Sequence, residues 1–155
     1  MKLRYLDFET YYADDYTLSK MTSEEYVRDP RFQTIGFSIR TDYPDAPAVW
    51  VTGDDEYMAD KLHSLPWNDT IIVGHNMSEF DSLILSHHYG IVPKFYQCTL
   101  QMARAIHGKD VSKSLAALCK KYGLPDKGHE VHDAKNKRRE DFTPQQLAAY
   151  GNYCI

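Results

Sequence analysis

Asp7 and Glu9, two residues apart in the opening segment LRYLDFET, are the first residues whose types and spacing suit chemistry. On a strand, residues i and i+2 project from one face, so both carboxylates point together while Phe8 points to the other side. Two like charges a few ångströms apart repel, and one of them protonates unless a cation lies between them. A hard divalent cation bound through oxygen relieves that repulsion. The alternative is that the strand ends there and both acids are simply solvated.

The second chemical group is GHNMSEFD at 74–81. It follows a short apolar run and opens a helical pattern, which is where open α/β sheets seat ligands. Asp81 comes three residues after Ser78, so it also fits the acceptor half of a capping box. His75 and Asn76, on the strand-to-helix turn, either bond a ligand or order the loop.

The elements that must position these residues follow from periodicity and punctuation. Lys2 to Phe8 reads as a strand ending near Glu9-Thr10. Thr22-Ser23-Glu24-Glu25 starts a short helix that Asp29-Pro30 stops. Phe32 to Arg40 and Ala48 to Thr52 are β-rich runs joined by the turn-prone TDYPDAP, a hairpin pattern. An amphipathic helix is expected over Asp54 to Leu65, closed by Pro66, and TIIVG at 70–74 reads as a buried strand. Helices are expected over Ser78 to Tyr89 with Gly90 as the cap, over Thr99 to His107, and over Ser112 to Tyr122. Asp126 to Asp141 is polar, basic and read as a loop. Thr143-Pro144-Gln145-Gln146 starts a last helix that is expected to run to Ile155. The layout is α/β; three antiparallel strands with a fourth parallel to the first would give one specific mixed sheet, though spacing alone allows other α/β folds.

Composition bounds the function classes. With 155 residues, 43% of them hydrophobic, the chain suits one domain and is too apolar for intrinsic disorder. There is no apolar run long enough to span a membrane, and Asp7 interrupts the place where a secretion signal would need apolar residues. Three cysteines without metal-ligand spacing argue for a reducing compartment, so a cytoplasmic setting is expected. The net charge of −4 conceals a split: residues 1–99 hold 8 basic against 16 acidic side chains, and residues 101–140 hold 10 against 5. An acidic part suited to cations lies beside a basic part suited to phosphates, unless this is ordinary surface variation.

Taken together, D-x-E on the first strand, N-x-x-x-F-D after the fourth and a late helix bearing Tyr153 resemble the DEDD superfamily of 3′–5′ exonucleases. The nearest kind is the tyrosine-type proofreading domain of phage-like DNA polymerases. The resemblance runs from LDFET to AYGNYCI. It implies a ribonuclease H-like α/β fold, with three antiparallel strands plus a parallel strand flanked by helices. It also implies that Asp7, Glu9 and Asp81 bind two divalent ions, Mg²⁺ or Mn²⁺, and that Tyr153 orients the attacking water. The family has an aspartate four residues after that tyrosine, a position past Ile155. Residues 1–155 are therefore read as a single exonuclease domain cut within its last motif helix.

Two such ions activate a water and stabilise the leaving 3′-oxygen of a phosphodiester. A frayed 3′ end must also be gripped with little sequence preference, by stacking and by phosphate contacts. Phe8, Met77 and Phe80 are candidates for packing on terminal bases, and Thr10, His75 and Asn76 for hydrogen bonds to the terminal nucleotide. The run Lys135–Arg139 either approaches a nucleic-acid backbone or is a solvated loop. His129-Glu-Val-His132 is not the zincin pattern, and no phosphate-cradling glycine loop or serine-hydrolase elbow is present. The expected activity is release of nucleoside monophosphates from single-stranded DNA in the proofreading of a polymerase, in the cytoplasm of a phage-infected host. The polymerase would be a domain of the same chain or a partner. An RNA-directed exonuclease of the same superfamily and a non-catalytic nucleic-acid-binding module are the alternatives.

Overall fold

β1 (Lys2–Thr10) alternates polar and apolar side chains and forms the centre of a five-stranded sheet. On one side it pairs antiparallel with β2 (Thr34–Thr41), which pairs antiparallel with β3 (Ala48–Val51). On the other side β4 (Thr70–Gly74) runs parallel to β1, and β5 (Phe95–Cys98) runs parallel to β4. The order is β3-β2-β1-β4-β5. The computed structural model describes residues 1–41, 46–109, 111–125 and 133–154, the side chain of Tyr153 excepted. Positions 42–45 of the hairpin connection and 126–132, with the two histidines of HEVH, lie outside the described residues.

The mixed sheet has the three antiparallel strands and the parallel fourth that the sequence predicts. β5 is an addition. Its FYQC sequence exposes three of four side chains, so no apolar run announces it. It forms because pairing with β4 satisfies its backbone, and Lys94 N–H donates to Trp67 O at 3.2 Å just ahead of it.

One face of the sheet is the main core. Leu6 and Phe8 of β1, Phe37 of β2 and Ile72 of β4 pack there against α1 (Ser23–Arg28), α2 (Asp55–His63) and α3 (Asp81–Tyr89) through Tyr26, Val27, Met58, Leu62, Ile84 and Leu85. α1 begins in a complete capping box, with Thr22 and Glu25 each bonding the other's backbone N–H. α4 (Thr99–His107) follows β5 directly, and α5 (Leu115–Tyr122) is capped by Ser114 and stopped by Gly123. Among the described residues no helix is long and apolar enough to cross a membrane.

The opposite face carries α6 (Pro144–Cys154), started by a reciprocal pair: Gln146 N–H donates to Thr143 Oγ1 at 3.2 Å, and Thr143 N–H donates to Gln146 Oε1 at 2.8 Å. A second, smaller cluster of Ile35, Ala134 and Tyr150 seats this helix. The Trp50 indole lies between the helix and the sheet. A Cβ at Gly151 would come within 2.4 Å of the ring, and one at Gly36 also within 2.4 Å. Two glycines therefore let α6 pack closely on the sheet beside the strand that carries the acid pair.

The basic run makes defined contacts within the chain. Lys135 pairs with Asp14, and Arg138 lies over the Tyr11 ring at 4.2 Å. Arg139 donates to Thr34 O at 2.9 Å and to Asp55 Oδ1 at 2.7 Å. The run is a strap that fastens the approach to α6 onto the loop after β1.

Candidate active site

The alternation of β1 puts Asp7 and Glu9 on the α6 face, opposite Leu6 and Phe8. β4 ends level with them, since Tyr5 pairs with Val73. The chain then turns sharply. Asn76 adopts φ 66°, and its carbonyl accepts the N–H groups of both Glu79 and Phe80 at 3.1 Å. That turn consumes the residues expected to begin the helix, so α3 starts at Asp81 and not at Ser78. The Ser78–Asp81 capping box does not form; the Asp81 carboxylate is used elsewhere.

Asp81 Oδ1 accepts the N–H of Phe8, the peptide between the two acids of β1, at 3.1 Å. Backbone dimensions then place that oxygen within roughly 6 Å of the Asp7 Cα. Asp81 is 2% exposed. Burial, followed by the charge of Asp7, pushes its carboxyl well above the ordinary carboxylate range; the Phe8 N–H opposes this, and Glu9 adds to it. Asp81, distant in sequence, thus forms one electrostatic group with the two acids of β1.

α6 supplies two further residues. The Tyr150 hydroxyl donates to Glu9 Oε2 at 2.8 Å. Cys154 Sγ lies 3.5 Å from Asp7 O and 3.7 Å from Asp7 Oδ2, and the Ser38 hydroxyl fixes its backbone by donating to Cys154 O at 2.9 Å. Burial first, then Asp7 and Glu9, raise the Cys154 thiol far above its ordinary range. Donor atoms of Asp7, Glu9 and Cys154 lie within 4.8 Å of one another. No sequence motif singles out Tyr150 or Cys154; their i, i+4 spacing on a helix facing β1 is the signal that points to them. Tyr153 sits on α6 between them, with its side chain outside the described residues.

Clefts open on both sides of the acids. The one on the Asp7 side, of about 420 Å³, is lined by Tyr5, Ser38, Arg40, His75, Thr99 and Cys154 among others. His75 Nδ1 lies 3.1 Å from the Thr99 hydroxyl there. The one on the Glu9 side, of about 380 Å³, is lined by Phe8, Thr10, Tyr12, Leu18, Phe80 and Tyr150 among others. The Thr10 hydroxyl is 2.9 Å from that of Tyr26.

Two of the residues expected to stack on bases are largely buried. Met77 is fully buried under the strand-to-helix turn, and the Phe8 ring packs inside against Phe37 and Tyr89 at 5.7 and 5.8 Å. Both pack in the main core cluster, and Phe8 also borders the Glu9-side cleft. Asn76 shapes the turn through its backbone.

A sequence model described as 3′–5′ exonuclease matches residues 22–151. The chain belongs to this 3′–5′ exonuclease family. Among curated proteins none matches by sequence. In fold, this exonuclease domain is similar to NrnC of Brucella melitensis solved with bound Mg²⁺, at a TM-score of 0.64 and 15% identity over 97% of this chain and 65% of that one. The same protein bound to pGG aligns with a TM-score of 0.60 and 16% identity over the same shares. The family B DNA polymerase of the hyperthermophilic archaeon Pyrobaculum calidifontis aligns at 0.65 and 16% identity, over 99% of this chain and 22% of that one. The exonuclease domain thus spans about two thirds of the length of NrnC and about a fifth of the polymerase. The mixed sheet flanked by helices is similar to that of the DEDD exonucleases.

Proposed function

We propose that this exonuclease domain removes nucleotides from the 3′ end of single-stranded DNA in a divalent-metal-dependent reaction, in the setting of polymerase proofreading. The observation that carries the reading is the bond from the Phe8 N–H to Asp81, which joins the α3 acid to the acids of β1. An all-oxygen set of carboxylates, one of them buried and disfavoured as an anion, fits hard divalent ions. Asp7, Glu9 and Asp81 would hold two such ions, Mg²⁺ or Mn²⁺, and NrnC is known with Mg²⁺. When bound, the ions supply an activated water and stabilisation of the leaving 3′-oxygen.

The chain's own residues do the positioning. The Tyr150 hydroxyl holds one oxygen of Glu9. Tyr153, on the same helix, is assigned the orientation of the attacking water. The terminal base lies in the Glu9-side cleft, against Phe80 with Thr10 beside it, and His75 serves the other side. A second reading, an RNA-directed exonuclease, is favoured by the fold shared with NrnC, which has been solved with pGG.

The test is degradation of 5′-labelled DNA and RNA oligonucleotides by the protein that carries this chain, with Mn²⁺ or Mg²⁺. Laddering of DNA from its 3′ end, reduced by about three orders of magnitude in D7A, is expected. Faster laddering of RNA would favour the second reading. Binding of either strand with no laddering would contradict both.

A further inference from the structure

We propose that Cys154 makes the acid pair of β1 a thiophilic site: Asp7, Glu9 and Cys154 form an O,O,S donor set that captures a soft divalent cation, Zn²⁺ or Cd²⁺, and thereby closes the centre to hard ions. The inference rests on the reading of Asp7 and Glu9 as metal ligands. Among the described residues no other group of three such donors converges this closely.

The geometry is that of a ligand set before the ion arrives. Ligands at Zn–S and Zn–O distances and a tetrahedral angle lie roughly 3.6 Å apart. Cys154 Sγ and Asp7 Oδ2 are 3.7 Å apart. The widest spacing in the group, within 4.8 Å, closes by about 1 Å through rotation of one carboxylate side chain. The sulfur is held in place, because the end of α6 is anchored through Ser38 to Cys154 O. The Asp7-side cleft reaches Asp7 and Cys154 and leaves room for water as a further ligand.

Selectivity follows from donor type. Mg²⁺ takes oxygen ligands, so the thiol adds nothing to its binding. A thiolate selects softer ions. As the metal–sulfur bond forms, the S–H bond breaks and its proton leaves to solvent; no electron is transferred.

The experiment titrates Cd²⁺ into metal-free protein carrying C98S and C119S, so that Cys154 is the only thiol of this chain, and follows the ultraviolet thiolate-to-metal charge-transfer band. A saturable band is expected, lost on adding C154S, with Cd²⁺ affinity lowered by about tenfold or more in D7N. If the double variant does not fold, the same loss is read between the native chain and C154S alone. Absence of the band, or a band of equal affinity in D7N, overturns the inference, since the thiol would then bind nothing or act alone. Laddering in Mg²⁺ without the Cd²⁺ band defeats this inference and leaves the exonuclease reading standing; the band without laddering does the reverse.

Discussion

The N–H of Phe8 donates to Asp81 Oδ1 at 3.1 Å, so a carboxylate from the first turn of α3 is buried against the strand residue that separates Asp7 from Glu9. The hydrogen bond explains how a buried acid is held there; burial first, and then the charges of Asp7 and Glu9, explain why its charged form is disfavoured.

The stability of the metal-free protein should therefore depend on pH in a defined sense. The folded-state pKa of Asp81 lies above the ordinary value of 3.8. Its contribution is fully present below that ordinary value and is lost as pH rises through the folded value. D81N keeps the acceptor for Phe8 and removes the charge. In thermal melts without metal, D81N should match the parent near the bottom of the carboxylate range. It should exceed the parent at neutral pH by about 1 kcal/mol, roughly 3 °C. A neutral-pH loss of stability in D81N would assign the carboxylate a structural role.

Tyr150 gives a second prediction. Its hydroxyl bonds Glu9 in a buried setting, and hydrogen bonds to charged groups contribute about 1.5–3 kcal/mol. Y150F should lose part of that in urea unfolding and should lower exonuclease turnover by about tenfold, through a Glu9 that is no longer held. Unchanged turnover would mean that Glu9 is oriented by other contacts.

How α6 reaches the acids leads to the third. Replacing a helical glycine by alanine ordinarily gains about 0.5–1 kcal/mol. At Gly151 the new Cβ would meet the Trp50 ring at 2.4 Å, and overpacking costs about 1–3 kcal/mol, so the clash wins. G151A should lower the melting temperature, alter Trp50 fluorescence and weaken divalent-ion binding as α6 is pushed off the sheet. A rise in melting temperature would show that the indole moves aside freely.

Much of this architecture is legible in the residues themselves. The acid pair on one strand face, the hairpin, the apolar TIIVG strand and the capped start of α6 follow from alternation and cap chemistry. What escapes depends on contacts between distant segments. β5 has no apolar signature and exists only through its partner strand. α3 starts late because Asn76 takes a left-handed conformation that its residue type permits and does not require. Met77 reads as a base-packing side chain until the turn folds it inward. The contacts of the Lys135–Arg139 run escape because its partners, Asp14, Tyr11, Thr34 and Asp55, lie far off in the sequence.

The central claim is that Asp7, Glu9 and Asp81 make one cation-binding centre. Mn²⁺ binding to the metal-free protein, followed by electron paramagnetic resonance in the parent, D7N and D81N, tests it most directly. The account predicts that each substitution, one on β1 and one on α3, weakens Mn²⁺ binding by about tenfold or more. Parent-like binding in D81N would contradict it, because the α3 acid would then stand outside the centre.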